Sequence, residues 1–282
     1  MTTKAKSDSI RKKLSNLAHK LDVPYRNIEI VFLIERLVAR LVANKNLKSN
    51  LVFKGGFVAL KVYGSPRYTI DLDALLVKEN LDPTLELIRQ NAESDAGDSV
   101  WFRFEKQDRL MTQGEYGGVR QIYRAGIGEI LPDIRRAPVI HFDLGVGDPI
   151  TPGPQKVETP SFFPQNEDIS WSVYPVETII AEKLHALLSH GDANSRSKDV
   201  HDLAVFLPKA EAETLGTAIK RCFEFRETEL PEKISAEIKK INTHRLEQGW
   251  ANSVSTVANA PEFKIAFDTV IKNIARLEKF FK

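Results

Sequence analysis

The sequence predicts an α+β fold, with helices and strands mixed over residues 1–165 and a helical domain over 166–282. Three observations carry this reading. Amphipathic helical spacing and short apolar runs ending at glycine interleave in the first half. Five prolines then interrupt DPITPGPQKVETPSFFPQ, from Asp148, which reads as an irregular boundary or crossing connection. Beyond one last extended piece, ISWSVYP, only helix-period patterns follow. The length of 282 residues, against roughly 150 for a typical domain, agrees with two units.

Taken in order, Ile10, Leu14, Leu17, Ala18 and Leu21 recur at helical spacing between lysines and arginines, an amphipathic helix. A second helix is expected from about Asn27 to Val42, deeply buried, with Glu35, Arg36 and Arg40 on its polar side. LVFKGG reads as a short strand ending in two glycines, and FVALKVYG as a brief helix leaving them. TIDLDALLV, residues 69–77, is rich in strand formers after an acidic start, and Asp82 with Pro83 marks the head of the next helix. Strands are expected at WFRFEKQ, GVRQIYRAG and PVIHFDLGV. The helical half contains VETIIAEKLHALLSH, KDVHDLAVFL, AEAETLGTAIKRCFEF, a segment around Ala236 to Arg245, and FKIAFDTVIKNIARLEKFF.

Composition removes several classes. Hydrophobic residues at 42% and charged residues at 28% describe neither a disordered chain nor a fibre. Forty Lys+Arg against 38 Asp+Glu leave +2, so no global field announces a polyanion partner. The lone Cys222 can make neither an internal disulfide nor a cysteine-based zinc site, which suits a reducing cytoplasm. No run approaches the roughly 18 apolar residues of a membrane span, and the polar start does not look like a signal peptide. The phosphate-loop, dinucleotide, serine-hydrolase and zinc-protease signatures are all missing. His185, His190 and His201 match no zinc spacing and are read as structural.

The sharpest feature is Gly55-Gly56, then fourteen residues, then Asp71-Leu72-Asp73. Side chains two apart on a strand share a face, so both carboxylates would lie side by side while Leu72 enters the core. Two such anions repel unless a cation sits between them, and Mg²⁺, or Mn²⁺ in its place, is held by one or two carboxylates together with substrate phosphates. The glycine pair lets backbone N–H groups approach a phosphate with no Cβ in the way. A nucleoside triphosphate suits both halves, although a plain turn beside exposed aspartates would give the same pattern. Asp143, near the end of a strand-like run, is a candidate third metal ligand or an edge-strand aspartate. In the helical half, Lys183 lies in an apolar helix, and Arg196, Lys198, Asp199 and Asp202 cluster at another helix entrance, either binding triphosphate oxygens or complementing the helix dipole.

With these pieces in place, the chain resembles the AbiEii/MenT group of nucleotidyltransferase toxins, built on the polymerase-β-type nucleotidyltransferase fold. The resemblance lies in the ordered set IERLVARL, FKGGFVALKVYG, RYTIDLDALL, HFDLGVGD, VYPVETIIAEKLHAL and SRSKDVHDL. It implies a nucleotidyltransferase-type first domain, with a mixed β-sheet flanked by helices, and a helical domain that completes the cleft. It further implies that Asp71, Asp73, Lys183 and Asp199 are catalytic, that Gly55, Gly56, Thr69, Lys183, Arg196 and Lys198 bind the nucleotide, and that Asp71, Asp73 and Asp143 hold metal. Thr69 departs from the family, where a serine often precedes the D-x-D motif, so a serine-specific self-modification is in question. The implied activity is transfer of a nucleoside monophosphate from an NTP to RNA, the tRNA 3′ end foremost, which blocks translation in the cytoplasm; a cognate antitoxin is an implied partner. The alternatives are transfer of NMP or phosphate to a protein hydroxyl, and a catalytically silent binding module on the same fold. Lys4, Lys6, Arg11, Lys12, Lys13, Arg120, Arg124, Arg135 and Arg136 are candidates for receiving an RNA backbone.

Overall fold

The computed structural model describes residues 3–77, 80–110, 117–189 and 196–281. The chain divides into two compact units: Met1–Val62 with Tyr68–Gly147 and Lys156–Val173, and Tyr63–Arg67 with Asp148–Gln155 and Tyr174–Lys282.

The first unit opens with helices α1 (Thr3–Leu21), α2 (Tyr25–Ala43) and α3 (Lys45–Asn50). Strand β1 (Leu51–Lys54) leads into the short helix α4 (Gly55–Lys61), and β2 (Asp71–Leu76) is followed by α5 (Leu81–Ala92). Then come β3 (Val100–Leu110), β4 (Gly118–Ile127), β5 (Val139–Val146), β6 (Gln155–Thr159) and β7 (Ile169–Val173). Among the described residues these strands form one mixed sheet in the order β3-β4-β5-β2-β1-β7-β6. β1 runs antiparallel to β2 and parallel to β7, while β2 runs parallel to β5.

Alternation along β2 and β5 decides which face is core. Leu72, Ala74, Phe142 and Leu144 are fully buried, whereas Asp71, Asp73, His141 and Asp143 are partly open. A period of two on each strand sends these sets to opposite faces. Helix α2, carrying buried Leu33, Leu37 and Leu41, packs on β5 and β7 and is joined by α1 and α5. Burying a side chain such as Leu72 contributes about 1.5–3 kcal/mol, and this apolar layer holds the charged rows in fixed register.

The structure departs from the sequence reading at several places. Glu35, Arg36 and Arg40, expected on a polar side of α2, are buried. Each is tolerated there because it is paired: Lys61 reaches the Glu35 carboxylate at 2.5 Å, Arg36 meets Glu35 at 3.1 Å, and Arg40 grips both Asp98 oxygens at 2.8 Å. Arg40→Ala is therefore expected to lower stability by about 3–5 kcal/mol, because Asp98 would be left nearly buried without its cation; urea unfolding of the variant measures this. The proline-rich stretch is not wholly irregular, since its proline-free QKVET forms β6 at the sheet edge, where only one flank needs a partner. Around the expected boundary at 165/166 the units interleave: Lys156–Val173 lie with the first, where β7 pairs with β1, and Asp148–Gln155 with the second. The helix α3, unforeseen, is capped by the Asn44 side chain accepting from the N–H groups of Asn46 and Leu47.

The second unit is helical, with α6 (Val176–Ser189), α7 (Ser197–Phe206), α8 (Ala212–Phe225), α9 (Ile234–Lys240), α10 (His244–Ser253) and α11 (Phe263–Leu277). α6 packs on α7 and α8, and α7 also receives α10 and α11. The single helix expected around Ala236–Arg245 is broken at Ile241, whose extended ψ of 131° ends α9 before Thr243 leads into α10.

Candidate active site

The turn between β1 and α4 is built for close approach. Gly55 has φ +72°, in the left-handed region open to glycine. A Cβ on it would lie 1.9 Å from Oδ2 of Asp73. A Cβ on Gly56 would lie 2.8 Å from Oγ1 of Thr69. The two glycines thus allow the turn to lie directly against the segment entering β2. Thr69 Oγ1 accepts from the Asp71 N–H at 3.3 Å, which ties that entry together.

Sheet register then lays out the charges. Lys54 is opposite Asp73, Asp73 is opposite Asp143, Asp143 is opposite Arg120, and Arg120 is opposite Asp108. One row across five strands therefore reads cation, anion, anion, cation, anion. In the neighbouring row Asp71 is opposite His141, and Asp71 Oδ1 accepts from His141 Nδ1 at 3.0 Å. Arg120 forks onto Asp143, with Nε to Oδ1 at 2.6 Å and Nη2 to Oδ2 at 2.7 Å. That bond to Asp143 raises the Arg120 pKa against partial desolvation, and Asp71 and Asp73 add to the effect, so the guanidinium feels all three carboxylates.

Asp71 and Asp73 fit a hard divalent cation. They are oxygen donors on one face of one strand, and the bare Cα of Gly55 lets the Asp73 carboxylate lie against the turn. The third expected ligand, Asp143, lies opposite Asp73 on the same face but is engaged elsewhere. Both oxygens of Asp143 are taken by Arg120, and among the described residues no group of three or more His, Cys, Asp or Glu side chains is arranged to hold a metal ion.

Within the helical unit, α6 and α7 bring a second constellation together. Lys183 Nζ lies 2.7 Å from Asp199 Oδ1 and 2.8 Å from Asp202 Oδ2. Arg196 Nε meets Asp199 Oδ2 at 2.5 Å, and Arg67 forks onto Asp202 at 2.9 and 3.2 Å. Both aspartates are fully buried. Burial disfavours the Lys183 ammonium, but Asp199 and Asp202 outweigh it and hold its pKa above the ordinary value. Burial likewise disfavours both carboxylates, yet Lys183 and Arg196 depress Asp199, and Lys183, His201 and Arg67 depress Asp202 well below the usual range. Lys183, Asp199 and Asp202 stay charged at neutral pH.

Sequence reasoning named Gly55, Gly56, Thr69, Asp71, Asp73 and Asp143, and the structure brings them together; it also joins Lys183, Arg196 and Asp199. Lys198 is exposed and points to no described partner. His141, Arg120 and Arg67 were not placed at these sites. His141 was visible as the residue two before Asp143, on the same strand face, whereas Arg67 carries no spacing signal because its partner lies 135 positions away. Several candidate RNA-binding cations are already engaged: Lys6 with the Gly97 carbonyl, Arg11 with the Ile127 carbonyl, Arg124 with Glu105 and Arg135 with Asp133. His185 bonds Thr228 and His201 bonds Asp202, while His190 lies outside the described residues.

The chain is similar to two solved structures at 16% identity: JHP933 from Helicobacter pylori (TM-score 0.51, covering 88% of this chain and 91% of that one) and an H. pylori "putative nucleotidyltransferase" (TM-score 0.53, covering 88% and 94%). Both likenesses show the fold. No curated protein matches. No helix among the described residues is long and apolar enough to cross a membrane. The family described as "Nucleotidyl transferase AbiEii toxin, Type IV TA system" matches residues 36–273, which takes in the glycine turn, both carboxylate rows and the Lys183 network, and the chain belongs to this family of nucleotidyltransferase toxins.

Proposed function

We propose that the chain transfers a nucleoside monophosphate from an NTP to RNA, with the tRNA 3′ end as acceptor, and thereby blocks translation in the cytoplasm, where both substrates are found. The observation that supports this best is the pairing of Asp71 and Asp73 on one strand face with the Gly55 turn lying against Asp73. Asp71 and Asp73 would hold Mg²⁺ or Mn²⁺; when bound, the cation supplies positive charge to the phosphates and the developing pyrophosphate. Gly55 and Gly56 present backbone to a phosphate, and Thr69 keeps the strand entry in place. Lys183, with one ammonium hydrogen left after Asp199 and Asp202, is assigned with Arg196 and Lys198 to triphosphate binding, and Asp199 to holding Lys183 in position. The acceptor oxygen bonds to the α-phosphorus as the bond to the β-phosphate oxygen breaks, releasing pyrophosphate and a proton. The protein's share is orientation and charge compensation. A cognate antitoxin is the partner that the family implies.

The test incubates wild type and Asp73→Asn with each of the four α-labelled NTPs and total tRNA. Label is expected on tRNA with wild type, falling about 100-fold or more in the variant, as when a group that stabilises transition-state charge is lost. Label that resists RNase and yields to protease would overturn the RNA assignment in favour of a protein acceptor.

A further inference from the structure

Asp71, Asp73 and Asp143 share one face of the sheet, yet their carboxylates are held differently. Arg120 takes both oxygens of Asp143. Asp71 has only Oδ1 held, by His141 Nδ1 at 3.0 Å, and among the described residues nothing bonds to its Oδ2. The His141 position follows from the backbone: β2 and β5 pair in parallel with Asp71 directly opposite His141, so the two side chains leave the same face together. A carboxylate is acceptor-only when ionised, so Nδ1 must carry the proton in this bond, which fixes the tautomer.

The terminal torsion of an aspartate is broad and roughly two-fold, so a carboxylate without a fixed bond spreads over many orientations. One donor at Oδ1 selects one of them and leaves Oδ2 for another partner. The side chains of His141 and Asp71 are about a third exposed, 28% and 33%, so water would compete for both oxygens if the imidazole were absent.

We propose that His141 is a positioning residue for nucleotidyl transfer, whose Nδ1–H holds Oδ1 of Asp71 so that Oδ2 is presented to the divalent cation. This rests on the reading of Asp71 and Asp73 as the cation's ligands. Partners that orient a ligating side chain are commonly worth 10-fold or more in metal affinity. Because His141 sits on a partly open polar face, its removal is expected to change ligation far more than folding.

Three substitutions separate donation from bulk. The Asn Nδ2 lies where the imidazole Nδ1 does, one atom beyond Cγ, so His141→Asn keeps the donor. His141→Gln extends the amide to the level of Nε2 and loses that geometry, and His141→Leu removes the donor. Mn²⁺ serves as the probe, with free ion measured by electron paramagnetic resonance in the presence of whichever α,β-methylene NTP gives wild type its tightest Mn²⁺ binding. The expected result is Mn²⁺ affinity lowered about 10-fold in His141→Gln and His141→Leu and restored in His141→Asn. The Mg²⁺ concentration for half-maximal transfer should shift in parallel, with excess Mg²⁺ recovering the rate. Wild-type affinity in the Gln and Leu variants, or equal loss in the Asn variant, overturns the proposal. If Asp71→Asn and Asp73→Asn also bind Mn²⁺ as wild type does, the ligand reading itself fails, an outcome distinct from failure at His141 alone. Thermal unfolding of each variant identifies any that misfold, and the Asn–Gln comparison stands without the Leu variant.

Discussion

Gly55→Ala is expected to reduce nucleotidyl transfer at least about 100-fold, the scale on which displacement of a site group by roughly 1 Å is felt. The added methyl would occupy the position 1.9 Å from Asp73 Oδ2, so the turn and the carboxylate cannot both stay in place. The same change also forces alanine to φ +72°, which costs about 1–2 kcal/mol by itself. Gly97→Ala separates the two effects. Gly97 has φ +66° and open space around its Cα, so its variant should lose similar stability and keep its activity. Equal loss of transfer in both variants would reduce the Gly55 effect to backbone strain.

Lys183→Met should be the most destabilising change in the helical unit, by about 3–5 kcal/mol in urea unfolding, because it keeps the volume and removes the charge between Asp199 and Asp202. The pH dependence gives a second readout. In wild type both aspartates have depressed folded pKa values, so their stabilisation is present above the unfolded value of about 3.9 and is lost as pH falls through the folded values. Lys183 has a raised folded pKa, so its stabilisation is present below about 10.4 and is lost as pH rises through the folded value. Between these limits the network contributes no slope. In Lys183→Met the buried carboxylates repel, the folded state gains affinity for a proton, and stability should rise as pH falls from 7 toward about 5. A flat profile with a loss under about 1 kcal/mol would mean that Asp199 and Asp202 do not depend on Lys183.

Much of this was legible in the sequence for a definite reason. The period of two in Asp71-Leu72-Asp73 and the paired glycines are local signals, readable without tertiary contacts, and they gave the β1–turn–α4 arrangement and the carboxylate pair. What depended on partners distant in the chain was not readable. The polar side assigned to α2 failed because Lys61, Asp98 and the Phe162 N–H compensate its charges from elsewhere. Asp143 was expected as a metal ligand, yet Arg120 claims it, because strand register sets that pair and a single sequence does not encode register. The edge strand β6 was obscured by the flanking Pro154 and Pro160, although proline-free QKVET carried no obstacle of its own.

The charge order along the row from Lys54 to Asp108 has a consequence for how the enzyme loads. Arg120 and Lys54 bracket Asp73 and Asp143, so two of the three carboxylates on this face already have an arginine or lysine across the strands, and Asp71 does not. A newly made chain can therefore complete this sheet without waiting for an ion, and a bare divalent ion meets there little beyond the uncompensated charge of Asp71. Nucleotide and counter-ion are then best delivered as one package, with the triphosphate carrying its own escort.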